Sequence, residues 1–208
     1  MRAMWVAYLL VSTAAFGQYK LEPVGALPPG LAPEIAAELQ PAGHKIVAGD
    51  GKVYCEIWFR AKEVVGPKTS ENDVTWVTTP PGALIGAIRF PGAGGDRRGQ
   101  AIKPGVYTLR FGMQPVNGDH QGVAPQRDFL VFSPADEDKS AAPVSDIDDL
   151  VNMSRKVSGT PHPAVLSMWK VDSGFAAGFS KMGEQDWVLQ IKVGEAAIAV
   201  ILIGKVEG

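Results

Sequence analysis

Along much of this chain apolar residues alternate with polar ones at a period of two, in short runs separated by turns rich in glycine and proline. Such alternation sends successive side chains to opposite faces, the pattern of a strand with one buried side. Residues 106–113 show it best: Tyr107, Leu109, Phe111 and Met113 share one face, while Thr108, Arg110 and Gln114 share the other. Pro104-Gly105 turns the chain just before this run. Segments 44–48 and 52–59 flank Gly49-Asp50-Gly51, a hairpin signal, and put Val53, Cys55, Ile57 and Phe59 on one side. Segments 74–78 and 83–90 read as further strands, and 129–132 is apolar on both faces, as a central strand is. Near the carboxyl end Trp187, Leu189, Ile191 and Val193 alternate with Val188, Gln190 and Lys192. Gly194-Glu195 then offers a two-residue turn, and 197–203 returns. Segment 164–169 fits a strand or a helix.

A period near 3.6 occurs in two places. Residues 32–40 predict a short helix, with Pro33 tolerated in its first turn and Ile35, Ala36 and Leu39 on one side. The second helix is better signalled. Ser145 is a suitable N-cap, and Ile147, Leu150, Val151, Ser154 and Val157 form a stripe. Aspartates in the first turn and Arg155-Lys156 in the last suit the helix dipole, and Gly159 can close it. The connections are too short for repeated crossover helices, so antiparallel pairing follows. The expected class is mainly β, an antiparallel β-sandwich or jelly-roll-like fold with one or two short helices. The 24 glycines and 16 prolines agree with many turns.

The first 17 residues stand apart. Met1-Arg2 is a basic start, residues 3–16 are almost all apolar, and Ala15-Phe16-Gly17 puts small residues where a signal peptidase reads. The run is shorter than the roughly 20 residues that span a bilayer. The expected organisation is a signal peptide over 1–17, a lead-in with a short helix over 18–43, and one β-sandwich domain over 44–208, with a polar linker at 135–143. The expected location is secreted or periplasmic, with no membrane span after cleavage. A net charge of −2 gives no electrostatic reason to bind nucleic acid. Cys55 is the only cysteine, which rules out an internal disulfide; its parity makes it a small buried hydrophobe.

The richest polar cluster joins two strands across 114–128. Long loops concentrate function, and Asn117, Asp119, His120, Arg127 and Asp128 are the candidate ligand-binding residues. No catalytic residue, metal site or cofactor is assigned. His44, His120 and His162 lack metal-ligand spacing. The run from Gly92 to Gly99 lacks the Lys-Ser/Thr of a phosphate loop and reads as a flexible exposed loop, although Arg97 and Arg98 remain available to an acidic group on a partner. Ser180 lacks the spacing of a nucleophile elbow. Trp58 and Trp76 fit core or helix-covered positions better than sugar platforms.

The segment Ile102-Lys103-Pro104-Gly105-Val106-Tyr107-Thr108-Leu109, with Gly118-Asp119-His120 and Arg127-Asp128-Phe129-Leu130, resembles a group of uncharacterised signal-peptide-bearing bacterial β-sandwich proteins over about residues 83–134. The resemblance implies an exported β-sandwich and no reaction or ligand. The expected role is therefore an exported non-enzymatic binding or structural protein for a small molecule, glycan or protein. The alternative is an extracytoplasmic hydrolase that uses the polar 114–128 loop.

Overall fold

Short hairpins force consecutive strands to be neighbours, and this chain uses them repeatedly. The computed structural model describes residues 19–114, 116 and 126–205. Its strands are β1 (Lys20–Val24), β2 (Gly43–Val47), β3 (Val53–Phe59), β4 (Leu84–Phe90), β5 (Gly94–Gly95), β6 (Ala101–Ile102), β7 (Gly105–Met113), β8 (Asp128–Pro134), β9 (Val165–Lys170), β10 (Gly178–Met182), β11 (Asp186–Val193) and β12 (Ala196–Ile203). Two helices, α1 (Pro33–Glu38) and α2 (Ile147–Ser158), complete it. Ten strands form one sheet in the order β1-β2-β3-β4-β7-β8-β9-β12-β11-β10, and β5-β6 make a small ribbon. Every pairing is antiparallel. The order follows the chain until β9, which pairs with β12, so that β9 to β12 trace a Greek-key excursion.

The mainly β, antiparallel class with two short helices is thus what the chain forms. In place of two stacked sheets in jelly-roll order, one sheet curls until its ends approach each other. Tyr19, just before β1, sets its ring 6.4 Å from Phe179 of β10 and 5.3 Å from Trp187 of β11. No ladder joins β1 to β10. Pro23 in β1 lacks an N–H, and Lys181 in β10 is exposed, two features that blunt a strand edge.

The inward faces fill the interior. One apolar cluster runs from Ile46 on β2 through Ile57, Phe90, Leu109, Phe132 and Met168 to Leu202 on β12. Cys55 belongs to it and is fully buried, which pushes its thiol pKa up. Outside, α1 packs Ile35 and Leu39 against Trp58, Leu84 and Ala87. Trp58 is covered there and donates to Gly25 O at 3.3 Å, so it offers no platform to a sugar. The other helix, α2, packs Leu150 on Phe129 and Val131. Its N-cap is Asp146, one residue later than Ser145, because the Asp146 carboxylate accepts from Asp148 N at 2.8 Å. Gly159 closes the helix in the left-handed region, as its position predicts.

Four segments depart from the sequence pattern, and a fifth, 164–169, settles a choice it left open. Residues 20–24 and 178–182 are strands although their patterns signal none, and 164–169 resolves as a strand. Residues 74–78 form no strand; they lie in the long excursion from β3 to β4 and carry Trp76 into the core, 6.0 Å from Phe111. The run 92–99 is no loose loop: Asp96 is buried and accepts from Arg98 N, Gln100 N and Val165 N.

The 135–143 linker is likewise pinned. Arg110 points away from the interior, as alternation requires, yet is completely buried. Its Nε and Nη2 donate to Asp138 at 2.6 and 2.7 Å. Nη1 donates to Gly82 O and Ala142 O, and Nη2 also donates to Ser140 O. All five guanidinium protons are thereby placed. Thr108 Oγ1 donates to Asp138 as well, at 2.5 Å. Gly82 has φ +76°, and a Cβ there would sit 2.0 Å from Val144 O, so only glycine lets the linker pass. Arg110→Ala leaves Asp138 charged and unpaired in the interior. It should lower unfolding stability by about 3–5 kcal/mol in urea titration, whereas Arg110→Met with Asp138→Leu should recover part of the loss. A loss under about 1 kcal/mol for Arg110→Ala would show that the linker finds another anchor.

Candidate functional site

The apolar stripe on α2 is wider than its contact with the sheet. Leu150, Ser154 and Val157 are buried. Ile147, Val151 and Arg155, each four residues from the next, form a second stripe beside them. That second stripe does not reach the strands: Ile147 is 44% exposed. Between it and the outer face of the sheet lies a cleft of about 480 Å³. Phe129 and Val165 supply the floor, from β8 and β9, and Met113, at the end of β7 and packed against the interior cluster, lines the rim. Gly112 makes room for the floor, since a Cβ there would lie 2.8 Å from the Phe129 ring.

Hydrogen bonds hold the walls apart. Ser154 Oγ donates to Ala164 O at 3.1 Å and accepts from Ala164 N at 2.9 Å, fixing α2 to the start of β9. Arg155 Nε donates to Pro161 O at 2.8 Å, and Ser158 Oγ donates to His162 O at 2.6 Å. The 96–100 turn braces the same loop: Gln100 Nε2 donates to Pro163 O at 3.0 Å, and Arg97 N donates to Val165 O at 2.8 Å. Thr160 Oγ1 donates to Gln100 Oε1. These bonds bring Arg98, Arg155 and His162 to one end of the cleft; Asp148, in the first turn of α2, and Gln114, after β7, also line it. Arg97 points elsewhere and pairs with Asp186 at 2.5 Å. Neither Arg98 nor Arg155 pairs with a carboxylate among the described residues.

Of the five residues picked from sequence, Asn117, Asp119 and His120 lie outside the described residues. The structure brings Arg127 and Asp128 together against segment 71–76. Asp128 is buried and accepts from Thr75 N at 2.6 Å, Thr75 Oγ1 at 2.9 Å and Trp76 N at 3.0 Å. Thr75 Oγ1 in turn accepts from Lys170 N at 2.8 Å. Arg127 donates to Gln114 O at 2.6 Å and pairs with Glu71 at 2.7 Å. Both side chains are engaged by the scaffold, and the adjacent cleft is lined by Gln114 and Phe129 at the flanks of the same chain segment.

Sequence reading passed over Arg155, His162, Met113 and Phe129 as cleft residues. The available signal was the width of the α2 stripe, which exceeds what one sheet contact uses. Among the described residues no group of three or more His, Cys, Asp or Glu could hold a metal ion. His44 is on β2, half-buried, and loss of solvent lowers its pKa. Nor is any helix among the described residues long and apolar enough to cross a membrane. Compared with protein-family models, with curated proteins and with solved structures, the chain gives no match.

The two scaffold residues should differ sharply when truncated. Asp128→Ala strands two backbone N–H groups, one of them buried at Trp76, and should cost about 2–4 kcal/mol. Arg127→Ala removes an ion pair whose Glu71 side chain is 48% exposed, so that pair should contribute under about 1 kcal/mol. Urea melts of both variants check the order; equal losses would mean that Asp128 is not the anchor of segment 71–76.

Proposed function

We propose that this chain is an exported, non-enzymatic binding protein whose ligand lies in the cleft beneath α2. One observation carries the proposal: apolar side chains of β8, β9 and α2 face one another across a space whose helix wall is fixed by hydrogen bonds to the 160–164 segment. A volume of about 480 Å³ is within the range of small-molecule sites. Rigid walls cut the ordering cost of binding. Export is supported by the basic start, the apolar run and the small residues at Ala15 and Gly17. The hydrolase alternative draws no support from Arg127 and Asp128, whose polar groups are taken by segment 71–76 and Gln114.

Amino-terminal sequencing of protein exported by its natural host should begin at or near Gln18; a mature chain that starts at Met1 would remove the secretory reading. For the cleft, the probe is the neutral fluorophore N-phenyl-1-naphthylamine. It should gain emission on the native protein with one-site saturation. Val151→Trp, which fills the cleft from a partly exposed position, should weaken binding at least tenfold while leaving the melting temperature within a few degrees. Unchanged binding in Val151→Trp would place the ligand elsewhere.

A further inference from the structure

We infer that the cleft selects a small anionic amphiphile, with its carboxylate at the Arg98–Arg155 end and its apolar tail along Val151 toward Ile147. This rests on the reading of the cleft as a ligand site and adds the chemical class. The distribution of charge along the cleft supports it. Asp148 and Arg155 lie seven residues apart on α2, about 10 Å along the helix axis. Arg155 and Arg98 share the far end, and the carboxylate that lines the cleft stands at the near one. The middle is apolar. The site is thus a short apolar trough with a cationic end and an acidic end, matched by a ligand with one anionic head and a tail of no more than that length.

The cationic end is built for an anion. Asp96 forms no ion pair with either arginine: its carboxylate is held by the neutral donors Arg98 N, Gln100 N, Gln100 Nε2 and Val165 N, and keeps its negative charge within the turn. The Arg98 guanidinium accordingly extends from a turn whose backbone is pinned, with no carboxylate partner among the described residues. Arg155 is held by Pro161 O and Asn152 Oδ1, neutral acceptors that leave its charge unbalanced. The carboxyl end of α2 adds roughly half a negative charge nearby, and with the Asp96 carboxylate it offsets part of the two cations, which leaves this end positive on balance. A guanidinium matches a carboxylate in two parallel hydrogen bonds. At the other end Asp148 repels a second anionic group, which disfavours dicarboxylates.

Displacement of the bound naphthylamine fluorophore separates the possibilities. Octanoate, 1-octanol and octylamine carry the same tail with negative, neutral and positive heads. In the native protein octanoate should displace the probe at a concentration at least tenfold below that of octanol, with octylamine the weakest. The octanoate advantage should shrink as salt rises. Arg98→Glu, at an exposed position, should abolish that advantage and leave octanol unchanged. If octanol and octanoate compete equally in the native protein, the charge selection is overturned while the cleft reading stands. If none displaces the probe, the amphiphile class is overturned while the cleft reading stands; if all three displace it from Val151→Trp as well as from the native protein, both are overturned.

Discussion

The buried Arg110–Asp138 pair is the constraint from which the rest of the outer surface follows. Arg110 is on β7, near the middle of the sheet order, and its side chain leaves the sheet on the outer face. There it collects Gly82, two residues before β4, and residues 138–142 from the segment that follows β8. A buried pair of this kind adds little net stability over an apolar pair of the same shape, since desolvating both charges consumes most of the attraction. What it does is decide where the chain goes. Three carbonyls and one carboxylate can satisfy five fixed donors in few arrangements, and the path of 138–142 sets where α2 begins. The helix then lies over β8, and the cleft is the space left between its second stripe and the strand ends.

The same economy of contacts explains why α2 does not collapse onto the floor of the cleft. Its buried stripe meets Phe129 and Val131, its carboxyl end is tied to the 160–164 segment, and Ser154 fixes its height above β9. To close the cleft, the helix would have to roll about its axis, which would withdraw Ser154 from Ala164 and Leu150 from the sheet. Losing a buried hydrogen bond and a buried leucine contact costs more than leaving Ile147 and Val151 partly wet.

Period-two alternation made β3, β7 and β11 legible, because each has one face in the core and a turn at its end, and β12 was legible as the apolar return after the Gly194-Glu195 turn. The α2 helix was legible through its caps and stripe. The strands β1 and β10 were not, and the reason is physical: both are edge strands, half solvated, and Pro23 and Gly178 are residues that propensity counts against a strand. Segment 74–78 misled for the opposite reason. Val74, Thr75 and Val77 are strand-formers, but Asp128 takes the N–H groups of Thr75 and Trp76 that a ladder would use. Arg110 sits at a polar position of an alternating strand, and alternation alone assigns such a residue to solvent; only the covering segment, distant in sequence, buries it. Of the candidate site, the sequence marked the 114–128 region and Arg98. The convergence of Arg98 with Arg155 depends on the 96–100 turn bonding to the 160–165 segment, a pairing across more than sixty residues that no local pattern encodes.

The placement of the cleft on the outside follows from how the inside is filled. Eight strands enclose an interior that side chains just fill, and additional strands widen it. A curled sheet of ten strands therefore has room for a ligand unless large side chains occupy it. Here they do: Phe90 stacks 6.2 Å from Phe132, Tyr107 meets Phe132 edge-on at 6.0 Å, and Trp76 enters from the β3–β4 excursion to meet Phe111. Trp76 is delivered by the carboxylate of Asp128, which holds the backbone on which the indole is carried. The two residues that flank the polar loop thus have a different task from the one their charge suggests. By keeping Trp76 in place, Asp128 keeps the interior full, and binding chemistry is left to the one face where a helix crosses the strands without meeting them all.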